Sequence, residues 1–189
     1  MTMKLPTLLA VSALLAAPLA AQAVTYQFNA GLTGAQQAPT PVVTAATGIA
    51  TLFYNDMGTV STADDLYSFS MSALGLSGTA TGFHIHAAAP AGSNAGVKVF
   101  LDTAPFVSFN LGGTVLVGGS GVAAPLSDPL FLSHLQSGLA YVNIHTAANP
   151  GGEIRGQLIQ VAVVPEPSTY ALMLAGIGMM GMLARRRRG

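Results

Sequence analysis

Several stretches of the chain alternate between apolar and polar residues with a period of two, which is typical of half-buried β-strands. The clearest alternation is in residues 66–71, where Tyr67, Phe69 and Met71 share one face and two serines lie on the other. Similar patterns predict strands at residues 26–30, 48–54, 82–86, 97–101, 115–117, 141–146 and 153–163. Turn-forming Gly, Asn, Asp and Pro residues separate them at intervals of about ten residues. This spacing predicts an all-β fold, an antiparallel β-sandwich or Greek-key barrel.

One short helix is expected between the last strands. Asp128 suits the N-cap, Pro129 suits the first helical position, and a glycine follows the segment. Phe131 and Leu135 are four residues apart and are expected to pack inward together. His134, in the same segment, is expected at the surface or rim.

Two of the predicted strands carry histidines. His84 and His86 are two residues apart, so they project from the same face of their strand. Tyr141, Asn143 and His145 likewise share one face of a later strand. If these strands are close in space, three imidazoles converge. The alternative is that the histidines are structural and donate ring N–H groups to backbone carbonyls.

The N-terminus has the features of a secretory signal peptide. Lys4 precedes an apolar run over residues 8–19, and Ala21 and Ala23 provide the small-x-small pattern that signal peptidase cleaves. We therefore expect residues 1–23 to form a signal helix that is removed. A permanent anchor is disfavoured because the run is short and Pro18 interrupts it.

The C-terminus has the features of a second targeting signal. A proline-rich neck leads into an uncharged stretch over residues 170–184, and four arginines follow. Fifteen helical residues reach roughly 22 Å, short of the roughly 30 Å hydrocarbon core, which is marginal for a permanent transmembrane helix. The arginines are expected to stay cytoplasmic and so to orient the chain with its body outside: Arg185, Arg186, Arg187 and Arg188.

The remaining residues, 24–164, have the size of one domain. This domain has two cationic residues, Lys98 and Arg155, against five aspartates and Glu153, so its net charge is −4 with neutral histidines. A mildly acidic domain is a poor partner for nucleic acid. The chain has no cysteine, which excludes disulfides and thiolate ligands.

Other polar groups give weaker indications. Glu153 and Arg155 are two residues apart and could hold a polar ligand, form an ion pair or tie loops together. Asp64, Asp65 and Asp102 lack the spacing of a calcium loop, so we expect solvated turns. The glycine-rich residues 112–121 lack a phosphate-binding motif, and no Ser-His-Asp arrangement is defined.

The C-terminal tail resembles the PEP-CTERM sorting signal of Gram-negative bacteria. It has a Pro-Glu-Pro motif at Pro165, Glu166 and Pro167, then a short transmembrane helix and an arginine cluster, over residues 165–189. The resemblance implies processing by an exosortase, transient anchoring in the inner membrane, and display on the cell surface, outer envelope or extracellular matrix, often with exopolysaccharide. A plain C-terminal anchor is the alternative.

The domain itself resembles the CHRD (chordin-type) family. The resemblance rests on Leu-Thr-Gly-Ala-Gln at 32–36, Thr-Gly at 47–48, Gly-Phe-His-Ile-His at 82–86, Pro-Ala-Gly at 90–92, and residues 138–146 and 149–158. The most specific part is Tyr-Val-Asn-Ile-His-Thr followed by Gly-Gly-Glu-Ile-Arg-Gly. This resemblance implies an immunoglobulin-like β-barrel and no settled biochemical activity.

The family also implies a distant relation to Cu/Zn superoxide dismutases. Residues 82–86 are similar to the Gly-Phe-His-Val-His strand that supplies two copper ligands there, and His145 is similarly placed to another copper ligand. The chain departs from that pattern in three ways: it has no cysteine pair, no zinc loop and no histidine positioned to bridge two metals.

Three functional hypotheses follow. The first is a non-catalytic surface or matrix module that contacts a surface protein or exopolysaccharide. The second is a protein that binds copper or zinc through His84, His86 and His145, since three neutral imidazoles suit either metal. The third, an enzyme with superoxide dismutase activity, has the least support.

Overall fold

The computed structural model describes residues 22–122, 129–165 and 167–186. Parts of the predicted signals lie outside these ranges, namely residues 1–21 with Ala21 of the cleavage site, Glu166 of the sorting motif, Arg187 and Arg188.

The described residues form ten strands and two helices. The strands are β1 (Val24–Thr33), β2 (Thr47–Asn55), β3 (Leu66–Leu74), β4 (Ala80–His86), β5 (Val97–Phe100), β6 (Val107–Leu111), β7 (Thr114–Val122), β8 (Tyr141–Thr146), β9 (Ile154–Gln157) and β10 (Ile159–Pro165). The helices are α1 (Phe131–Gln136) and α2 (Pro167–Arg186). A single 3-10 turn, Gly34–Gln36, follows β1. The prediction of an all-β antiparallel fold with few helices is confirmed.

All ten strands belong to one antiparallel sheet that curls into a half-barrel. The order is β5-β4-β8-β9-β1-β2-β3-β7-β6, and β10 pairs with β1. β1 pairs with β2 along its whole length, with β10 along its first part, and with β9 only at Thr33 opposite Arg155. The sheet therefore has a four-stranded arm, β5-β4-β8-β9, and a six-stranded arm, β10-β1-β2-β3-β7-β6.

The core lies on the concave side, because alternate residues of every central strand are apolar. Phe28, Leu52 and Phe69 are buried on the six-stranded arm, and Phe83 and Ile144 are buried on the four-stranded arm. With no disulfide available, the domain depends on this burial for its stability.

A side chain connects the two arms at the open end of the half-barrel. The amide of Asn110 on β6 donates to the carbonyl of Ala80 at 2.8 Å, and its oxygen accepts the Ala80 N–H at 3.0 Å. The amide thus replaces one step of a strand ladder between β6 and β4. The neighbouring N–H of Leu76 donates to the carbonyl of Gly113 at 3.1 Å.

The final part of the sheet differs from the prediction of one strand over residues 153–163. The strand is interrupted at Leu158, whose side chain is fully buried and whose N–H donates to the Ala140 carbonyl at 2.9 Å. β9 before the break pairs with β8, whereas β10 after it pairs with β1. The chain changes partner strand there, which alternation along one strand cannot reveal. β6 was also not predicted.

The short helix begins later than expected. α1 starts at Phe131, with Leu130 as N-cap residue, so Pro129 lies in the preceding turn rather than at the first helical position. Asp128, the predicted cap, lies outside the described residues. Phe131 and Leu135 are buried as expected. Gly138 has a φ of 66°, a conformation that favours glycine just after a helix.

Asp65 corrects another expectation. Instead of lying in a solvated turn, its side chain is only 2% exposed, and the Tyr54 hydroxyl donates to it at 2.5 Å. Burial raises the pKa of the Asp65 carboxyl, although the hydrogen bond from Tyr54 opposes that shift. Asp64 is exposed, as predicted, and accepts from the Thr59 hydroxyl.

The predicted C-terminal helix is present as α2, and its last turn includes Arg185 and Arg186, which are exposed. Within the described ranges, no helix is both long enough and apolar enough to cross a membrane.

Candidate metal centre

The three histidines on the predicted strands meet on the outer face of the four-stranded arm. β4 and β8 are antiparallel neighbours, with His84 opposite Asn143 and Gly82 opposite His145. This register puts His145 diagonally beside His84. Gly82 leaves room for the His84 ring, since a Cβ at that glycine would lie 2.9 Å from Cε1 of His84. The sequence placed the histidines on the correct faces, and the strand register brings them together.

The ring nitrogens are close enough to share one ion. One nitrogen from each of His84, His86 and His145 lies within 4.8 Å of those of the other two. At metal–nitrogen distances of about 2.0–2.1 Å, tetrahedral ligands lie roughly 3.3 Å apart, so small ring rotations would complete a site. In the described part of the chain, three buried ring nitrogens in this group have no hydrogen-bond partner: Nδ1 of His84, Nε2 of His86 and Nε2 of His145.

Backbone carbonyls determine which nitrogen carries the proton in two of these rings. Nδ1 of His86 lies 3.0 Å from the Ala95 carbonyl, and Nδ1 of His145 lies 3.0 Å from the Pro150 carbonyl. Because a carbonyl only accepts, each Nδ1 is assigned the N–H. Each Nε2 then presents a lone pair to the cluster, which is the arrangement usual for metal-binding histidines.

The surroundings keep at least two rings neutral. Burial, assisted by the neighbouring His84, His145 and Arg155 and opposed by the hydrogen bond to Ala95, lowers the pKa of His86 to about 4. Burial and the neighbouring His145 also lower the pKa of His84, which Asp102 partly opposes. Neutral imidazole is the form that binds metals, so these shifts favour ligation at neutral pH.

The His86 ring, the Tyr141 ring and the Arg155 guanidinium form a stack at the edge of the cluster. The Tyr141 ring is parallel to the His86 ring, with centroids 4.8 Å apart and an interplanar angle of 2°. The Arg155 guanidinium carbon lies 3.6 Å from the Tyr141 ring centroid. Since β8 lies between β4 and β9, His86 and Arg155 are on opposite sides of that ring. The Tyr141 hydroxyl accepts the Ala95 N–H at 3.0 Å, so the same loop residue contacts both aromatic rings.

Arg155 holds the covering loop in place. It is 1% exposed, and its guanidinium donates to the carbonyl of Ser93 at 2.8 Å and to that of Pro90 at 3.2 Å. It also donates to side-chain oxygens of Asn94 and Gln157. Residues 87–96 therefore form a loop fixed over the outer face by a buried cation, and this loop contains the Ala95 carbonyl that orients His86.

Glu153 has a separate set of partners. Its buried carboxylate accepts from the Thr44 hydroxyl at 2.8 Å, the Ser77 hydroxyl at 2.6 Å and the Thr146 hydroxyl at 2.7 Å. Burial alone would raise the pKa of Glu153, but these hydrogen bonds outweigh it and lower the pKa. In the described structure, Glu153 and Arg155 do not bond to each other, so the ion-pair alternative is wrong and the loop-tying alternative describes both residues. Each instead ties different loops to β8 and β9.

Sequence reasoning missed part of this arrangement. Tyr141 had been placed on the same face as His145, and that alternation was the available indication of its position behind the cluster. The carbonyls of Ala95 and Pro150 gave no indication, because backbone groups in loops leave no pattern in the sequence. His134 lies on α1 and is not part of the cluster.

The curled antiparallel sheet, with a loop fixed over the outer face of its four-stranded arm, defines a small all-β domain with a candidate transition-metal site. A family model for the CHRD domain matches residues 28–158, and the chain belongs to that family. This confirms the resemblance drawn from the motifs.

A second family model, the PEP-CTERM protein-sorting motif, matches residues 163–188. The protein is therefore an extracellular protein of the Gram-negative envelope, processed by an exosortase and displayed at the surface. Neither the curated proteins nor the solved structures give a significant match to the chain.

Proposed function

We propose that this exported CHRD-domain protein binds one copper or zinc ion through His84, His86 and His145, as a binding module rather than an enzyme. The observation that carries the proposal is the convergence of three histidine rings, each of which has one buried nitrogen without a hydrogen-bond partner in the described structure. Buried polar atoms are nearly always paired, and three unpartnered ring nitrogens on neighbouring side chains suit a cation.

Each of the three histidines would provide one nitrogen ligand. Nε2 of His86 and Nε2 of His145 would face the ion, since carbonyls hold their Nδ1–H groups. Nδ1 of His84 would be the third ligand. Three neutral nitrogen ligands leave a fourth position open, as in many zinc and copper sites. No acidic residue belongs to this group in the described chain, so the bound ion would keep its full charge.

The first hypothesis from the sequence, a surface or matrix module, is compatible with this proposal. Transient insertion of the C-terminal helix would hold the protein in the inner membrane until the exosortase acts, after signal peptidase has removed residues 1–23. Exopolysaccharide or another surface protein would then be the partner. Superoxide dismutase activity has less support, because the chain has no cysteine pair and no zinc loop.

The experiment that tests the proposal measures metal in the processed protein recovered from the cell surface without a histidine tag. After loading with copper or zinc and dialysis, mass spectrometry of the metals should find about one ion per wild-type chain. The triple variant His84→Ala, His86→Ala, His145→Ala should retain none. His134→Ala, which removes the remaining histidine, should retain metal like the wild type.

Circular dichroism would check that the triple variant still folds. Equal metal retention by the triple variant and the wild type would refute the proposal, and so would a wild type that retains no metal. In either case the histidines would be part of the scaffold only.

A further inference from the structure

The outer face of the six-stranded arm has an unusual composition. On each of its strands, the residues that alternate with the core point to this face, and none of those the structure describes is charged. Among the described residues of the domain, the exposed or partly exposed charges lie elsewhere: Asp56 and Asp64 in the β2–β3 loop, Lys98 on β5, and Asp102 after β5. A wholly uncharged face of this size is uncommon on an exported monomer.

Large apolar side chains cluster at one corner of this face, which we call the β6 corner. Their exposures are Ile49 68%, Leu74 59%, Val107 77%, Phe109 49%, Leu111 65% and Leu116 46%. The register makes them neighbours, since Phe109 is opposite Leu116, Leu116 is opposite Ser72, and Ser72 is opposite Ile49. At about 200 Å² for a fully exposed large apolar residue, these exposures amount to roughly 700 Å².

The shape of the β6 corner combines protrusions with hollows. Small residues alternate with the large ones across the strands. One hollow of about 170 Å³ lies between Ile49 and the serines Ser70 and Ser72. A second, of about 340 Å³, lies between Val107, Phe109 and Leu116 over Gly118. Protruding apolar side chains and shallow hollows thus lie side by side on the same face.

We propose that the β6 corner is the interface of a homodimer, occupied by a second copy of this chain. Two copies related by a two-fold axis would place the protrusions of one on the hollows of the other, an isologous contact in which one patch serves both sides. The roughly 700 Å² per copy is close to the roughly 800 Å² per partner of a standard interface.

Charge supports a second copy as the occupant. The domain carries a net negative charge, so two copies repel each other wherever their acidic loops approach. At the β6 corner this repulsion is smallest, because the described part of that face has no charged side chain. An uncharged partner surface is therefore electrostatically matched, and the chain itself provides one.

The interface is independent of the metal centre. The β6 corner lies on β2, β3, β6 and β7, whereas the histidine cluster lies on β4 and β8 of the other arm. The failure of one proposal therefore leaves the other intact.

The test is sedimentation velocity of the processed protein over a range of concentrations. The wild type should sediment as a dimer in the micromolar range, with a dissociation constant that changes little between low and high salt. Leu116→Lys and Ile49→Lys should each weaken the dimer at least tenfold, since each places a charge in the apolar contact. Val60→Lys, at a fully exposed apolar position in the β2–β3 loop, should leave it unchanged.

Thermal denaturation would check that the lysine variants keep the fold. A wild type that stays monomeric up to roughly 100 μM would overturn the proposal and leave the face to a different partner, such as a neutral polysaccharide. So would a dimer that both lysine variants leave intact, or one that salt dissociates.

Discussion

Replacing Glu153 by glutamine should show how much the buried carboxylate contributes to the fold. Its Oε1 accepts from the Thr44 hydroxyl and the Ser77 N–H, and its Oε2 accepts from the hydroxyls of Ser77 and Thr146. These four bonds connect the segment after β1, the β3–β4 linker and the end of β8. Glu153→Gln keeps the volume and removes the charge.

The magnitude follows from these bonds. Hydrogen bonds to a charged group contribute about 1.5–3 kcal/mol each, against about 0.5–1.5 kcal/mol for neutral ones. In Glu153→Gln, two bonds to Oε1 become neutral, and the hydroxyls of Ser77 and Thr146 must turn to accept from the new amide. Relief of the cost of burying a charge offsets part of this loss. We expect a net destabilisation of about 2 kcal/mol at pH 7.

Urea denaturation with a metal chelator present would measure this difference without a contribution from ligand binding. The exposed Asp64→Asn should change the free energy of unfolding by less than about 0.5 kcal/mol and serves as control. The hydrogen bonds lower the folded-state pKa of Glu153 below its usual 4.5. The difference in free energy of unfolding between wild type and Glu153→Gln should therefore be constant above pH 4.5 and shrink as the pH falls through the folded-state pKa of Glu153.

A loss smaller than about 0.5 kcal/mol at pH 7 would refute this account of Glu153. A difference between wild type and Glu153→Gln that does not narrow on acidification would contradict the assignment of an ionised carboxylate.

Three further predictions concern other buried positions. Burial raises the folded-state pKa of Asp65 above 3.8, so the folded wild type loses stability as the pH rises through that folded-state pKa. Asp65→Asn should therefore raise the Tm by a few degrees at pH 7 and leave the Tm unchanged near pH 3. Scanning calorimetry would measure both values. Gly156→Ala should cost about 3 kcal/mol in urea denaturation, because its Cβ would lie 2.6 Å from a backbone oxygen of β1, whereas Gly151→Ala, in open space, should be neutral. Gly82→Ala should keep the fold but displace the His84 ring and so lower metal retention severalfold, and unchanged retention would show that the ring position is not critical.

Local patterns were sufficient for much of the architecture. Alternation in β3, β4 and β8 correctly separated the residues that face the core from those on the outer face, which include His84, His86 and His145. Local patterns failed where pairing between distant strands decides the outcome. The break at Leu158 exists because the chain leaves β8 and joins β1, and neither event is visible within the strand.

The candidate site shows the same division. Which histidines share a face could be deduced from a period of two, but their convergence depends on the register between β4 and β8, more than fifty residues apart in the chain. For Arg155 the sequence left an ion pair with Glu153 and a loop-tying role as alternatives. Its buried position over Tyr141, where it bonds to loop carbonyls, depends on a loop whose small residues carry no pattern.

The two termini of the domain lie side by side in the sheet, which affects how the domain responds to mechanical force. Val24, at the start of β1, is directly opposite Pro165, at the end of β10. While both terminal segments are attached, tension between them would open the β1–β10 ladder one hydrogen bond at a time, like a zipper, rather than shear all its bonds together. β10 would separate from β1 first, and β1 would stay paired with β2. The domain is thus suited to hang from a single tether rather than to carry force between two.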